Sequence, residues 1–561
     1  MSGILGSSRS AHSVADILRV AIPVGVGLAA ALYLKTNFPK LMGISGFSKD
    51  KSIPMVPVRR GDSTHDAEYN EDPGLFLAKC ERLYGPVFNL KIHYLNLTCV
   101  SGVGLIREIY TNENVSFKDH LDDLTGLRAF MSGLTKSNKG ADGRTIHDVI
   151  KNGISTQMGW IAGGLSDKMA IVTDEQLGFC QEKVIEKVPE AVAMIIASAL
   201  ADIFMGPKAA QDPALLKAFI YCTSEFAQLL MHGYIRNFWA IVTAKLNYNV
   251  LNPLCKYVQT LTRVATSIVE ERRQQEAEAN ERGEEYKRPR DILQNMVDNM
   301  DYYNFIDLED VCGHILLMVL GSVHTTGEAC TSLLYFLGAY PEYIEPLYQE
   351  QTEILDEQQK ERQEMRQAKL TSGEVSSMLA FESTDLDPMD DRAITNKAVK
   401  KMAKMDSIYR EIMRYQLPPI MGTHKANEDV VLSNGMTITK GTRVTCNGWS
   451  VHQTQETQGE DPTEFRPFRY VGKNKAATKA APDFLPFGLG RHVCPGRFLA
   501  VQDMKIFGAL IVGRYSKIEI LEREKTKLML QNRLGTTPPS PLIFTSRPGV
   551  QLSPAAFAIA L

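Results

Sequence analysis

The stretch PFGLGRHVCPGRFLA, Pro486 to Ala500, places one cysteine in a glycine-rich turn that opens an apolar helix. Taken alone, Cys494 reads as a buried structural cysteine, the common state of a free thiol. Its surroundings point elsewhere. Phe487, Gly490, Cys494 and Gly496 crowd into a short turn ahead of the apolar run Phe498 to Leu510. A metal-bound thiolate needs amide N–H donors aimed at sulfur, and a tight loop supplies them. Glycine permits the positive φ angles of such a loop and lets a flat cofactor lie against the backbone. An aromatic residue beside the sulfur keeps water away and tunes a bound metal's potential.

Phe487, Gly490, His492, Cys494 and Gly496 together resemble the haem-binding signature F-x-x-G-x-[R/H]-x-C-x-G of the cytochrome P-450 superfamily. The resemblance implies that Cys494 is the proximal thiolate of a haem b (iron protoporphyrin IX). Thiolate ligation pushes electron density toward iron and favours O–O cleavage. His492 stands where the family more often has an arginine contacting a haem propionate, and histidine there is common in filamentous-fungal members. The fold implied is mainly α with small β-sheets.

Three further segments fit. Glu411 and Arg414 lie three apart on a helix with the apolar stripe Met405, Ile408, Ile412 and Tyr415. Residues at that spacing are neighbours on one helical face. The pattern is common: Glu270/Arg273 and Glu285/Arg288 also satisfy it, inside a charged run that reads as a solvated surface. Position separates them, because Glu411 precedes Cys494 by about as much as the family's E-x-x-R helix does. The resemblance makes Glu411 and Arg414, with Arg469 from Pro462-Thr463-Glu464-Phe465-Arg466-Pro467-Phe468-Arg469, a buried ion-pair network that folds the haem pocket.

A second helix, from about Asp307 to Tyr340, carries Gly321-Ser322-Val323-His324-Thr325-Thr326 inside an apolar stretch. It reads first as a buried core helix, but small residues and hydroxyls can loosen the ladder and leave a polar groove. The segment resembles the family's oxygen-activation motif [A/G]-G-x-[D/E]-T-T. Thr325 takes the catalytic threonine position, His324 replaces the acid, and Ser322 replaces the second glycine. In the third segment, His147 and Lys151 stand where the family has W-x-x-x-R, whose ends reach the propionates; a solvated helix face is the rival reading.

Composition bounds the rest. With 62 basic and 65 acidic side chains in 561 residues, the net charge of −3 argues against a nucleic-acid binder. Nine scattered cysteines without a C-x-x-C pair fit reduced thiols facing the cytosol. Val20 to Leu34 is an uncharged apolar run, and Ile17 and Leu18 extend it past Arg19 to about the length of a bilayer-spanning helix. Lys35, Lys40, Lys49 and Lys51 follow it against Arg9 and Arg19 before it, a slight excess that favours a cytosolic body. A cleaved signal lacks a clear cleavage site, and a mitochondrial peptide would be amphipathic and Arg-rich. The expected organisation is a membrane anchor over residues 1–40 and a haem-thiolate catalytic domain over residues 41–561.

Long helices are expected at Pro189 to Met205, Pro213 to Met231 and Leu254 to Glu278, with an exposed insertion from about Gln351 to Asn396. Strands are expected at Val87 to Ile92, Val430 to Val444 and in the last forty residues. The resemblance implies a fungal monooxygenase on the endoplasmic reticulum membrane, using O2 and electrons from an NADPH-cytochrome P-450 reductase, with cytochrome b5 as an optional second donor. Leu317, Leu320, Gly321, Pro419, Ile420, Met421 and Thr536 are the substrate-pocket candidates. The apolar character of most of them favours a lipophilic substrate, a steroid or terpenoid ahead of a fatty acid. Two rivals remain at this stage: a reductase-independent isomerase or peroxide rearrangement enzyme of the same family, and a non-catalytic haem- or steroid-binding membrane protein.

Overall fold

The computed structural model describes residues 46–549 except 93–94, 126–130, 132, 138–143, 179–181, 232–252, 373–393, 532–537 and 539. The apolar run Val20 to Leu34 and the pocket candidate Thr536 lie outside the described residues. Eight helices carry the architecture: α1 Met158–Leu177, α2 Val188–Met205, α3 Pro213–Met231, α4 Cys255–Arg282, α5 Leu308–Ala339, α6 Ile344–Ser372, α7 Ala403–Gln416 and α8 Arg497–Arg514. The strands are β1 Val87–Ile92, β2 Leu95–Val100, β3 Val115–Ser116, β4 Lys183–Ile185, β5 Ile420–Ala426, β6 Val430–Val431, β7 Thr437–Ile438, β8 Arg443–Asn447, β9 Tyr515–Ile520 and β10 Leu542–Ser546.

The five-stranded sheet has the order β1-β2-β8-β5-β3, and a smaller sheet has the order β4-β10-β9. Strands β2 and β8 run parallel, with Thr98 opposite Val444. All five residues of β8 are buried, as expected of a strand covered on both faces. Strands β6 and β7 form a separate two-stranded ribbon, so the expected strand from Val430 to Val444 is in fact three short ones. The last forty residues likewise hold a helix, Arg523–Gln531, besides β10.

Helix α5 is the axis of the molecule, packed against α2, α3, α4 and α8. Asp307 caps it by accepting the Asp310 amide at 3.0 Å, and Glu309 and Asp310 in the first turn suit the positive end of its dipole. Pro341 follows its end, where a proline ring disfavours further helix. The Asp310 carboxylate also accepts the amides of Lys136 (2.9 Å) and Ser137 (3.2 Å), tying an adjoining loop to the helix. Gly313 makes the approach possible, since a Cβ there would sit 2.1 Å from the Leu134 carbonyl oxygen.

Among the described residues α2 alone is long and apolar enough to cross a membrane, with a mean hydropathy of 1.8. Some 72% of it is buried inside the fold, against α1 and α5, so it reads as a core helix. The expected exposed insertion from Gln351 begins too early. Residues up to Ser372 continue α6, and Gln351, Gln358 and Arg362 on it are buried. The stretch is polar because one face is solvated, while the other packs on α7 and α8.

Candidate active site

The turn before α8 is built as a cage for one sulfur. The Cys494 amide donates to the Phe487 carbonyl at 2.8 Å and closes the loop. Gly488 and Gly490 take φ of 71° and 62°, the left-handed region that favours glycine. Gly490 also lies close to a neighbour, since a Cβ there would be 3.1 Å from the Tyr110 carbonyl oxygen. Gly496 differs from expectation: its φ is −81°, and what it supplies is space and an amide, a Cβ there lying 4.0 Å from Cys494 Sγ. Burial pushes the Cys494 thiol up, while the amides of Gly496 and Arg497 and the charge of Arg497 act the other way. A sulfur with amide donors aimed at it is the donor set of a metal thiolate. The backbone of His492 belongs to the turn Gly490–His492, and its side chain lies outside the described residues.

Facing this turn, α5 changes character. It is buried from Asp310 to Leu320 and again from Cys330 to Ala339, but Gly321, His324, Thr325 and Glu328 are exposed. The helix is nonetheless unbroken, contrary to the expectation of a loosened ladder. Ser322 Oγ donates to the Met318 carbonyl and Thr325 Oγ1 to the Gly321 carbonyl, both at 2.9 Å, so each hydroxyl is seated on its own helix. The exposed window opens on a cavity of about 390 Å³. Its wall combines Thr325, Glu328 and Ser332 of α5 with Met413 and Gln416 of α7, Phe487 of the cysteine turn and Ala500 and Met504 of α8.

Helix α7, which lends Met413 and Gln416 to the wall, also carries the ion-pair network. Arg414 donates through Nε and Nη2 to the two carboxylate oxygens of Glu411, each at 2.7 Å, with both side chains fully buried. Arg469 Nε donates to Glu411 Oε1 at 3.2 Å. Burial alone would lower the Arg414 guanidinium, but its hydrogen bonds to Glu411 and the charge there outweigh it and hold it above its ordinary value. Arg414 Nη1 donates to the carbonyls of His452 and Pro462 at 2.6 Å. The His452 ring, pushed down to about 3 by burial and the nearby arginines, is neutral and accepts the Leu485 amide at 3.2 Å. The network thus reaches within two residues of Phe487.

A second basic group was not foreseen. His120, His424 and Arg443 are buried close to one another, and His120 is driven down to about 3 by burial, then by Arg443 and His424. His120 Nδ1 has no hydrogen-bond partner among the described residues. His424 packs edge-on against Tyr110, the residue on which Gly490 rests, so the cluster borders the cysteine turn. His120 is therefore neutral, and Arg443, whose guanidinium lies 3.8 Å from the Asp123 carboxylate, is the charged member of the group. The only signal in the sequence is a histidine on the strand that follows the Leu417-Pro418-Pro419 helix stop, too common to decide anything. His147 and Lys151 are both exposed, on either side of the junction between the helix Arg144–Val149 and a π-turn, with Asp148 4.0 Å from His147. The pocket candidates Leu317 and Leu320 are buried earlier on α5, and Ile420 and Met421 are half-buried at the start of β5 beside buried Pro419. The cavity wall meets this group only through their neighbours Leu417 and Pro418.

A cysteine with amides aimed at its sulfur, a largely apolar cavity beside its turn and a buried basic group at the turn's border fit a haem-thiolate site. Residues 65–545 match the cytochrome P-450 family model, and the chain belongs to that family. It is similar to cytochrome P-450 monooxygenase 71 of Postia placenta, 30% identical over 37% of this chain and 36% of that protein. It also resembles cytochrome P-450 monooxygenase AN1598 of Emericella nidulans (26% identical, 58% and 55% covered) and olcJ of Penicillium canescens (25% identical, 70% and 68% covered). The alignments therefore span about a third to a half of the first two relatives' length.

Proposed function

We propose that this chain is a haem-thiolate monooxygenase that inserts one oxygen atom of O2 into a lipophilic substrate, a steroid or terpenoid ahead of a fatty acid. The observation that carries the reading is the pairing of the Cys494 turn with the Thr325 window of α5 at one cavity. The balance is R–H + O2 + 2 e⁻ + 2 H⁺ → R–OH + H2O, with the electrons taken from NADPH through a flavoprotein reductase. When bound, the haem supplies the redox chemistry of O2. Cys494 holds its iron, Phe487 keeps water from the sulfur, and His492, His120, His424 and Arg443 are the groups available to its carboxylates. His147 and Lys151 are held as candidates for the same role. Thr325 Oγ1, seated on the Gly321 carbonyl, holds a water and passes a proton toward the oxygen side of the slot, while His324 brings protons inward. Apolar residues at the slot, Leu417 and Pro418 among them, suit a lipophilic ligand.

Replacing Thr325 by valine keeps the shape and removes the hydroxyl. Haem content and substrate affinity stay near wild type and NADPH is still consumed. The electrons leave as hydrogen peroxide, and product per NADPH falls severalfold, because the lost proton donor leaves peroxide release as the competing path. NADPH, peroxide and product are measured in one reconstituted reaction; unchanged coupling removes Thr325 from oxygen activation and favours a route without O2.

The anchor over residues 1–40 and residence on the endoplasmic reticulum membrane belong to the same proposal, supported by the uncharged run before four lysines. Deleting residues 1–40 leaves a folded, haem-loaded domain and moves it toward the soluble fraction of a cell lysate. A full-length chain found wholly in the soluble fraction removes the anchor.

A further inference from the structure

We propose that Glu328 is the proton-relay carboxyl of this site, acting with His324 in place of the acid that the family motif carries beside its threonine. The inference rests on the monooxygenase reading and adds a residue to it. Four observations point there. Glu328 stands in the exposed window of α5, a helix otherwise buried over most of its length. It lines the cavity on the same helical face as Thr325, three residues on, and Ser332, four residues further. It is one turn beyond His324, the spacing at which side chains on a helix meet. Finally, no lysine or arginine forms an ion pair with it among the described residues, as a surface glutamate commonly would.

The electrostatics suit the role. Although the side chain opens onto the cavity, burial holds its carboxyl above the ordinary range, and the charge of His324 pulls the other way. Across the cavity α7 and α8 present Met413, Gln416, Ala500 and Met504, none of them charged. Burial thus acts first on Glu328, and His324 is the titratable group that acts against it. A carboxyl at a cavity wall, one helical turn from an imidazole, can give a proton and take one back in each cycle. The overall balance consumes two protons and two electrons per O2. Glu328 passes a proton from its Oε toward the water held by Thr325 and is recharged through His324, being neither oxidised nor reduced. With histidine at 324, the acid has moved one turn along the helix and remains on the cavity face.

The test uses the full-length haem-loaded protein and the variants Glu328→Gln, Glu328→Asp and His324→Ala/Glu328→Gln. The first readout is independent of turnover: the infrared difference spectrum on photolysis of the reduced carbon monoxide complex. Wild type gives a D2O-sensitive C=O band of a protonated carboxyl, and Glu328→Gln loses it. The second is coupling with a reductase and NADPH. Glu328→Gln lowers product per NADPH by about tenfold and enlarges the solvent isotope effect, Glu328→Asp recovers at least a third of the loss, and the double variant is no worse than the single. A Glu328→Gln protein that keeps both the band and wild-type coupling overturns the relay while leaving the monooxygenase reading intact. A wild-type protein that consumes no NADPH with any reductase overturns that reading instead, and the infrared band then decides alone whether Glu328 is the protonated acid of the cavity.

Discussion

Serine at position 494 abolishes the red-shifted Soret band that marks thiolate ligation in the reduced carbon monoxide complex, and turnover goes with it. A neutral alcohol is a poor donor to haem iron, and the push that favours O–O cleavage comes from sulfur. The loop itself survives. Its closing bond, Cys494 amide to Phe487 carbonyl, uses no side chain, and the positive φ values of Gly488 and Gly490 are unaffected. Folding measured by circular dichroism is therefore close to wild type, while the thiolate band is lost entirely. Six other cysteines are poorly placed to substitute. Cys80, Cys222, Cys312 and Cys446 are buried in the core with thiols pushed up to about 12, and burial pushes the buried Cys99 and Cys330 well above the ordinary range. A serine variant that kept the band would move the ligand to another cysteine and overturn the assignment.

Glu411→Ala removes the acid that pairs with two buried arginines. The carboxylate accepts from Arg414 twice, from Arg469, and from the Arg466 amide at 2.8 Å. Without it the guanidinium of Arg414 stays fully buried and uncompensated, which costs about 3–5 kcal/mol. That is a large share of the ~5–15 kcal/mol by which folded domains are stable. The damage passes through Arg414 to the His452 carbonyl, and from the His452 ring to the Leu485 amide at the mouth of the cysteine turn. The expected result is a steep fall in folded protein at 37 °C, with haem lost from what remains. Thermal unfolding and haem content measured together check this. The exposed pair Lys525–Glu522 provides the control, because breaking a solvated ion pair changes stability little. A Glu411→Ala protein that melts with wild type and keeps its haem would show that the network is dispensable.

Much of the site was legible before any coordinates, for a physical reason particular to it. Cys494 and its glycines act through backbone geometry over some ten residues, so the turn's chemistry is written in consecutive letters. The same holds for α5, where Asp307, the apolar run and Pro341 mark a long core helix, and Thr325 back-bonds within a single turn. The ion pair was half legible. Glu285/Arg288 has the same spacing as Glu411/Arg414, yet Arg288 is half-exposed and pairs with Glu276 and Asp298 instead. Spacing can bring a glutamate and an arginine to one helical face, but only packing decides whether that face is dry.

What the sequence by itself determined is local: the thiolate turn, the helix with its threonine, the helix stops and the likeness to one family. The tertiary structure decided everything that depends on distant segments closing together. It put His120, His424 and Arg443 into one buried group from three separate elements, brought Arg469 to Glu411 across 58 residues, and turned the polar stretch from Gln351 to Ser372 into most of α6. It also opened α5 to the cavity at Glu328, a residue that in the sequence is one more glutamate on a long helix. A side chain's neighbours along the chain follow from bond geometry, whereas burial and charge pairing are properties of the closed packing. Those two terms govern which acids hold protons and which cations need partners.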